Sequence, residues 1–434
     1  MREKAARAGP AAPPRAAPPT ASGTRPGRLV GVDLARGLAV LGMFSAHVGP
    51  DVSVGGPTGF LLETARGRSS ALFALLAGFS LILITGRPYP HTGRAGRQTR
   101  GRVLIRAAVL LVLGYALTAL DTDVDVILGC YALLFVAVLP LYRLRARALA
   151  LVAVAGAFVM PGALYAVQSS IRDGGWADQV TAWDPLARLS GTDGLVELLF
   201  TGDYPALTWL PFLVAGMAVA RLDLTRAGAR ARLALTGAAL AVLGYGGSWL
   251  ALRLVPGARS AVTAATHGGP ASAAWWSDTV GSPGSHPPAA WLLVAAPHSQ
   301  TTFSIAGNTG VALAVLAGCL AVAARMPRTT RLGRPVAAVG ATALTAYVLH
   351  IVALWLLTDV WYVPVADDDT MSALPVLLGF IGAALLGATV WTHRFRRGPL
   401  EHLLHLATRP ARHLGQPPAR APDPNRPRPP GGRT

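Results

Sequence analysis

Three ionisable residues lie inside one apolar stretch, beyond the Arg28 that opens it. Residues 28–49 read RLVGVDLARGLAVLGMFSAHVG, and Asp33, Arg36 and His47 stand within it. On a helix turning about 100° per residue, Arg36 and His47 fall within roughly 20° of one another. Asp33 lies one turn before Arg36, so all three occupy one stripe, with His47 roughly 16 Å further along the axis. An imidazole there suits proton transfer, and a guanidinium suits an anion or a structural ion pair. Ionisable groups at membrane depth are costly and face a bundle interior or a cavity. Each residue also has a plain reading. Asp33 near a helix N-terminus complements the macrodipole, and a single His47 can be a hydrogen-bonded packing residue. The case for chemistry is their coincidence on one stripe beside Gly37 and Gly42, which permit close helix approach.

Other polar residues could join them. Arg66 and Arg68 lie at the outer end of the second apolar stretch, near the expected depth of His47, as substrate ligands or as interfacial side chains that snorkel to water. His298 precedes a span that carries Asn308. His350 lies deep in a later span beside Tyr347 and Thr345, and at that depth it needs a partner. A haem held by two such histidines has no other support. No zinc, calcium, nucleotide-loop or Ser-His-Asp signature is present, and His267 and His286 are too isolated for a metal site.

The elements that position these residues are membrane helices. The chain has 434 residues, 52% hydrophobic, with mean hydropathy +0.44. Apolar runs recur near 28–49, 70–85, 103–120, 126–142, 148–167, 206–220, 233–255, 303–324, 336–357 and 373–391, which predicts an all-α polytopic bundle of about ten transmembrane helices. The net charge of +18 is not a nucleic-acid footprint. Arginines cluster in loops such as 87–106, 143–147 and 325–334, and alternate with acidic loops near 121–125, 173–203 and 359–369. That alternation is the positive-inside pattern and puts both termini in the cytoplasm of a plasma-membrane protein. Residues 1–27 and 409–434, rich in Pro and Arg, read as disordered cytoplasmic tails around one transmembrane unit over 28–408, with no cleaved signal peptide. The stretch Ala289–Ala296 is too short to span and is expected at the membrane interface. Cys130 and Cys319 fall inside spans and read as small apolar residues.

The opening RLVGVDLARGLAVLGM resembles that of the heparan-α-glucosaminide N-acetyltransferase catalytic domain. The spacing from Arg36 to His47 is similar to the Arg/Lys-x10-His motif of the integral membrane acyltransferase-3 family. The segments GRSSALFALLAGFS (67–80), VGATALTAYVLH (339–350) and FRRGPLE (395–401) resemble the YeiB-like bacterial membrane proteins. The glucosaminide enzymes carry asparagine at the position of His47 and a histidine in the following loop. This chain has His47 and no histidine between Val48 and Tyr89. If the chemistry is shared, the base role falls to His47.

The resemblance implies acyl transfer, most simply acetyl, from cytoplasmic acyl-CoA to a carbohydrate hydroxyl or amine at the outer face. His47, Arg36 and Asp33 would be the catalytic group, with Arg36 also binding a CoA phosphate. Arg66, Arg68, His298 and His350 would line the substrate site. Acyl-CoA, a carbohydrate acceptor and membrane lipid are the implied partners. No metal or nucleic acid is implied, and a homodimer follows only by analogy. Two alternatives use the same buried charges. A multi-pass exporter of a small molecule or lipid-linked sugar calls for internal repeats with interrupted helices, and the two halves show no convincing repeat. A non-catalytic scaffold needs only packing.

Overall fold

A computed structural model describes residues 30–190, 192, 194–284, 286–325, 332–362 and 373–414. The tail 1–27, the acidic run 367–369 and the residues after 414 lie outside the described residues. Among the described residues, the regular secondary structure is all helical. Its main elements are α1 (Val30–Val48), α2 (Arg68–Thr85), α3 (Gly93–Thr118), α4 (Ile127–Ala137), α5 (Ala146–Gly174), α6 (Ala206–Ala220) and α7 (Ala227–Leu254). They continue as α8 (Thr302–Arg325), α9 (Arg334–Ala341), α10 (Ala343–Trp355), α11 (Ala373–Arg394) and α12 (Pro399–Ala407).

Among the described residues, seven helices are long and apolar enough to cross a membrane. α1 is not one of the seven, since Asp33, Arg36 and His47 dilute its apolarity, yet it packs against α2, α8, α9, α10 and α11. Two shorter apolar helices, α4 and α6, have 11 and 15 residues. At about 1.5 Å per residue neither covers the roughly 30 Å hydrocarbon core by itself. The span expected over 126–142 ends early as a helix. Pro140 cannot donate to a helical ladder, and Leu139–Arg143 winds into a tight 3-10 turn instead.

Burial ranks the helices. The apolar window within Gly56–Thr85 is 67% buried and that of α8 is 61%, against 17% for α5 and for α11, whose apolar sides face outward. α2 and α6 cross backbone to backbone: a Cβ on Gly78 would overlap the Leu213 carbonyl, and one on Gly216 would overlap the Leu75 carbonyl. α1 and α9 cross as closely, with the Asp33 carbonyl against Gly340. Bundles in lipid gain no hydrophobic drive between helices, so small residues at crossings do that work through close packing.

Two segments carry more structure than expected. Ala289–Ala296 contains the 3-10 turn Ala289–Leu293, and Trp291 and Val294 are buried with Val262, Ala274 and Val280 in a small second core. Of the tail expected from 409, Arg409–His413 forms a 3-10 turn packed on α3, and Gln98 donates to the Arg412 carbonyl.

Candidate active site

α1 carries two polar sites of different character. At its first turns, Arg36 Nη1 donates to Asp33 Oδ1 at 3.1 Å and to the Gly340 carbonyl at 3.2 Å. Arg36 Nη2 donates to Ser80 Oγ at 2.8 Å, and Ser80 in turn donates to the Leu76 carbonyl. One guanidinium thus ties α1, α2 and the end of α9 together. The helix spacing explains the ion pair, since residues three apart face each other. Ser80 and Gly340 were not readable as members of this group, because only the crossing of three helices brings them there. The Arg36 donors are engaged by protein acceptors, which makes this cluster a clasp by its geometry.

Near the other end of α1, His47 Nδ1 and His350 Nε2 are 2.9 Å apart. The two rings are nearly coplanar, at 11° with centroids 5.2 Å apart. His350 is buried on α10 between the rings of Phe44, at 4.7 Å, and Tyr347, at 5.2 Å. Tyr347 Oη accepts from the backbone N–H of Ile127, which fixes the ring that flanks His350. His350 Nδ1 has no hydrogen-bond partner of good geometry and is turned toward the backbone of Ala346 and Tyr347. His47 is only half-buried. A buried ring therefore orients a more accessible one.

The remaining candidates divide. His298 lies within electrostatic range of His47. Its Nδ1 is 3.3 Å from the Asp203 carbonyl, and its ring meets Tyr204 edge-on at 5.3 Å. His298 and Gln300 both hold positive φ, 56° and 59°, an uncommon conformation for side-chain-bearing residues. Gln300 also donates to the Asp203 carbonyl, so the strained turn is pinned to one spot. Arg66 and Arg68 do not join the histidines. Arg66 pairs with Asp278 at 3.2 Å and Asp51 at 3.6 Å. Arg68 donates to Tyr245 Oη and to the carbonyls of Glu63 and Trp276, with its guanidinium 5.0 Å from the Tyr245 ring centre. Both arginines fasten the long loop over the bundle, because their donors meet nearer acceptors there.

A cavity of about 200 Å³ opens at the same end of the molecule, lined by Asp125, Glu197, Asp203, Tyr115 and Tyr204. His47 and His350 are not among its lining residues. Asp125 lies in the loop before α4, where burial and the neighbouring Asp203 carboxyl push its pKa up to about 8. No group of three or more His, Cys, Asp or Glu side chains suited to a metal ion occurs among the described residues.

Comparison with known families places two segments. Residues 28–249 match the family described as heparan-alpha-glucosaminide N-acetyltransferase, catalytic. Residues 270–410 match a family of unknown function, DUF418. No curated protein matches the chain. His47 stands in the first segment and His350 in the second, so the histidine pair bridges the two. The first match covers more than half of the 434 residues and includes α1 with Asp33, Arg36 and His47, so the chain belongs to the heparan-alpha-glucosaminide N-acetyltransferase catalytic family of membrane proteins.

Proposed function

We propose that the protein is a plasma-membrane acyltransferase that moves an acyl group, most simply acetyl, from cytoplasmic acyl-CoA to a carbohydrate hydroxyl or amine at the outer face. The observation that carries this reading is the 2.9 Å contact between His47 Nδ1 and His350 Nε2, with His47 the more accessible ring. Family membership supports the reaction class.

The chemistry follows from which nitrogen holds the proton. A base at His47 Nε2 needs its own proton on Nδ1, donated to His350 Nε2. His350 then carries its proton on Nδ1, toward the backbone of Ala346 and Tyr347. His47 Nε2 takes the proton from the acceptor's hydroxyl or amine as its oxygen or nitrogen attacks the thioester carbonyl. The C–S bond breaks, and the imidazolium returns the proton to the CoA thiolate. Acyl-acceptor and CoA-SH leave, and His47 is neutral again. His350 stabilises the transient imidazolium by accepting from Nδ1.

On this reading Asp33 and Arg36 act by holding α1 rather than by touching substrate. The acidic cavity is not lined by the two histidines and suits entry of a polyhydroxylic or amino acceptor, and His298 touches its lining residues Asp203 and Tyr204. The test is free-CoA release by detergent-purified protein supplied with acetyl-CoA and a panel of amino sugars. Wild type releases CoA in an acceptor-dependent way, and His47→Ala does not. An inactive wild type that also fails to bind acyl-CoA removes the proposal.

A further inference from the structure

The helix that carries His350 is not continuous with the one before it. α9 stops at Ala341, Thr342 leaves helical geometry with φ −118° and ψ 32°, and α10 starts at Ala343. Such a break leaves the first N–H groups of α10 without partners inside a bundle, where unsatisfied backbone is costly. The side chain of Thr342 does not cap them.

The cap comes from 57 residues further along the chain. Glu401 Oε1 accepts from the N–H of Leu344 at 2.7 Å and of Thr345 at 3.2 Å. Thr345 Oγ1 donates to Glu401 Oε2 at 2.6 Å. Thr345 Oγ1 also accepts from the N–H of Leu400 at 3.1 Å, one of the unpartnered donors at the start of α12. The N-termini of α10 and α12 therefore cap each other. The sequence GPLE is explained by this joint. Gly398 leaves the space that the carboxylate fills, since a Cβ there would overlap Glu401 Oε2. Pro399 opens α12 where a missing N–H costs nothing. Across the break, the Gly340 carbonyl is the one held by Arg36.

We propose that residues 270–410 form the second half of the acyl-transfer site, and that Glu401 is a positioning residue which sets the height at which His350 meets His47. His350 lies seven residues past the start of α10, about 10 Å along the axis. A helix fixed at its first turn has a defined axial position and rotation there, and the 2.9 Å contact tolerates little slippage of either. The catalytic consequence of Glu401 rests on the acyl-transfer reading, whereas its positioning of α10 rests on the hydrogen bonds to Leu344 and Thr345.

The experiment uses full-length protein in detergent, labelled with ¹⁵N-histidine. The imidazole resonances of the pair are identified by their loss in His47→Ala and His350→Ala. Glu401→Ala is expected to shift these resonances to those of unpaired imidazoles. It should also lower kcat for CoA release about tenfold or more, with KM for acetyl-CoA changed much less. Glu401→Gln keeps an acceptor for the two N–H groups and is expected to restore the paired resonances and most of kcat. Leu404→Ala loosens the buried side of α12 without touching the cap; it should lower Tm and leave the resonances in place. Should Glu401→Ala not fold, Glu401→Asp, a methylene too short to reach Leu344 N, takes its place. Paired resonances unchanged in the folded variant overturn the proposal, as does an equal disturbance by Leu404→Ala. If wild type shows no CoA release, the enzymatic reading fails while the resonances still decide the positioning role.

Discussion

The two ends of α1 use the same kinds of residue for opposite purposes. At the first turns, Asp33, Arg36, Ser80 and Gly340 form a hydrogen-bonded set in which the guanidinium meets acceptors on three elements. At the other end, His47 and His350 share one hydrogen bond, His47 is less completely buried than its partner, and a nitrogen of His350 lacks a good partner. A satisfied polar group rigidifies a bundle. An incompletely satisfied one can exchange protons with a substrate. Charge inside a membrane is therefore no sign of catalysis until its partners have been counted.

Variants that empty one end and spare the other test this contrast. The largest effect belongs to His47→Ala, which should cost about 10²-fold or more in CoA release. Its Tm should fall modestly, because the buried His350 loses its hydrogen-bond partner at about 1–3 kcal/mol, a loss too small to account for the drop in rate; a CoA-release assay beside a thermal melt checks both. Next comes Gly340→Ala. The new methyl meets the Asp33 carbonyl, and overpacking of this kind costs about 1–3 kcal/mol. Stability and turnover should fall together, read as Tm and activity per milligram. Asp33→Asn is third. It removes the charge from the partner of Arg36 and should cost up to about 1.5–3 kcal/mol, the range for hydrogen bonds to charged groups. Activity per folded molecule should survive, so a large loss of kcat at unchanged fold would erase the distinction between the two ends.

The smallest effect concerns the acidic cavity. Asp125 has its pKa raised in the folded protein, so between the ordinary carboxylate range near 4 and about 8 folding takes up a proton. The stability it contributes is present at low pH and declines as pH rises through that window. Asp125→Asn should flatten this decline in Tm measured from pH 4 to pH 8. A Tm profile that keeps the same slope in the variant would assign the dependence to other groups.

Much of this was legible in the sequence, for reasons that can be named. The stripe of Asp33, Arg36 and His47 follows from helical periodicity within one segment, and the structure keeps it. The helical membrane character follows from apolar runs of sufficient length. What the sequence withheld were contacts between distant segments. His47 and His350 lie 303 residues apart, and no spacing rule joins them. Arg66 and Arg68 have the same composition signal as a ligand pair, yet Asp51, Asp278 and the Trp276 carbonyl reach them first. Glu401 was visible as part of FRRGPLE, but its use depends on the break at Thr342, which no Gly or Pro at that position announces. The short helices α4 and α6 show the same limit: their apolar runs are clear, and their ends are decided by Pro140 and by what surrounds them.

The central claim is that His47 and His350 work as one unit. It is tested most directly by a double-mutant cycle on acceptor-dependent CoA release, with His47→Ala, His350→Ala and the double variant measured at matched Tm. Groups that act as a unit are non-additive, so the account predicts that either single substitution removes most of the rate and the double variant is scarcely worse. Independent, multiplicative losses, or a His350→Ala protein as active as wild type, would contradict it.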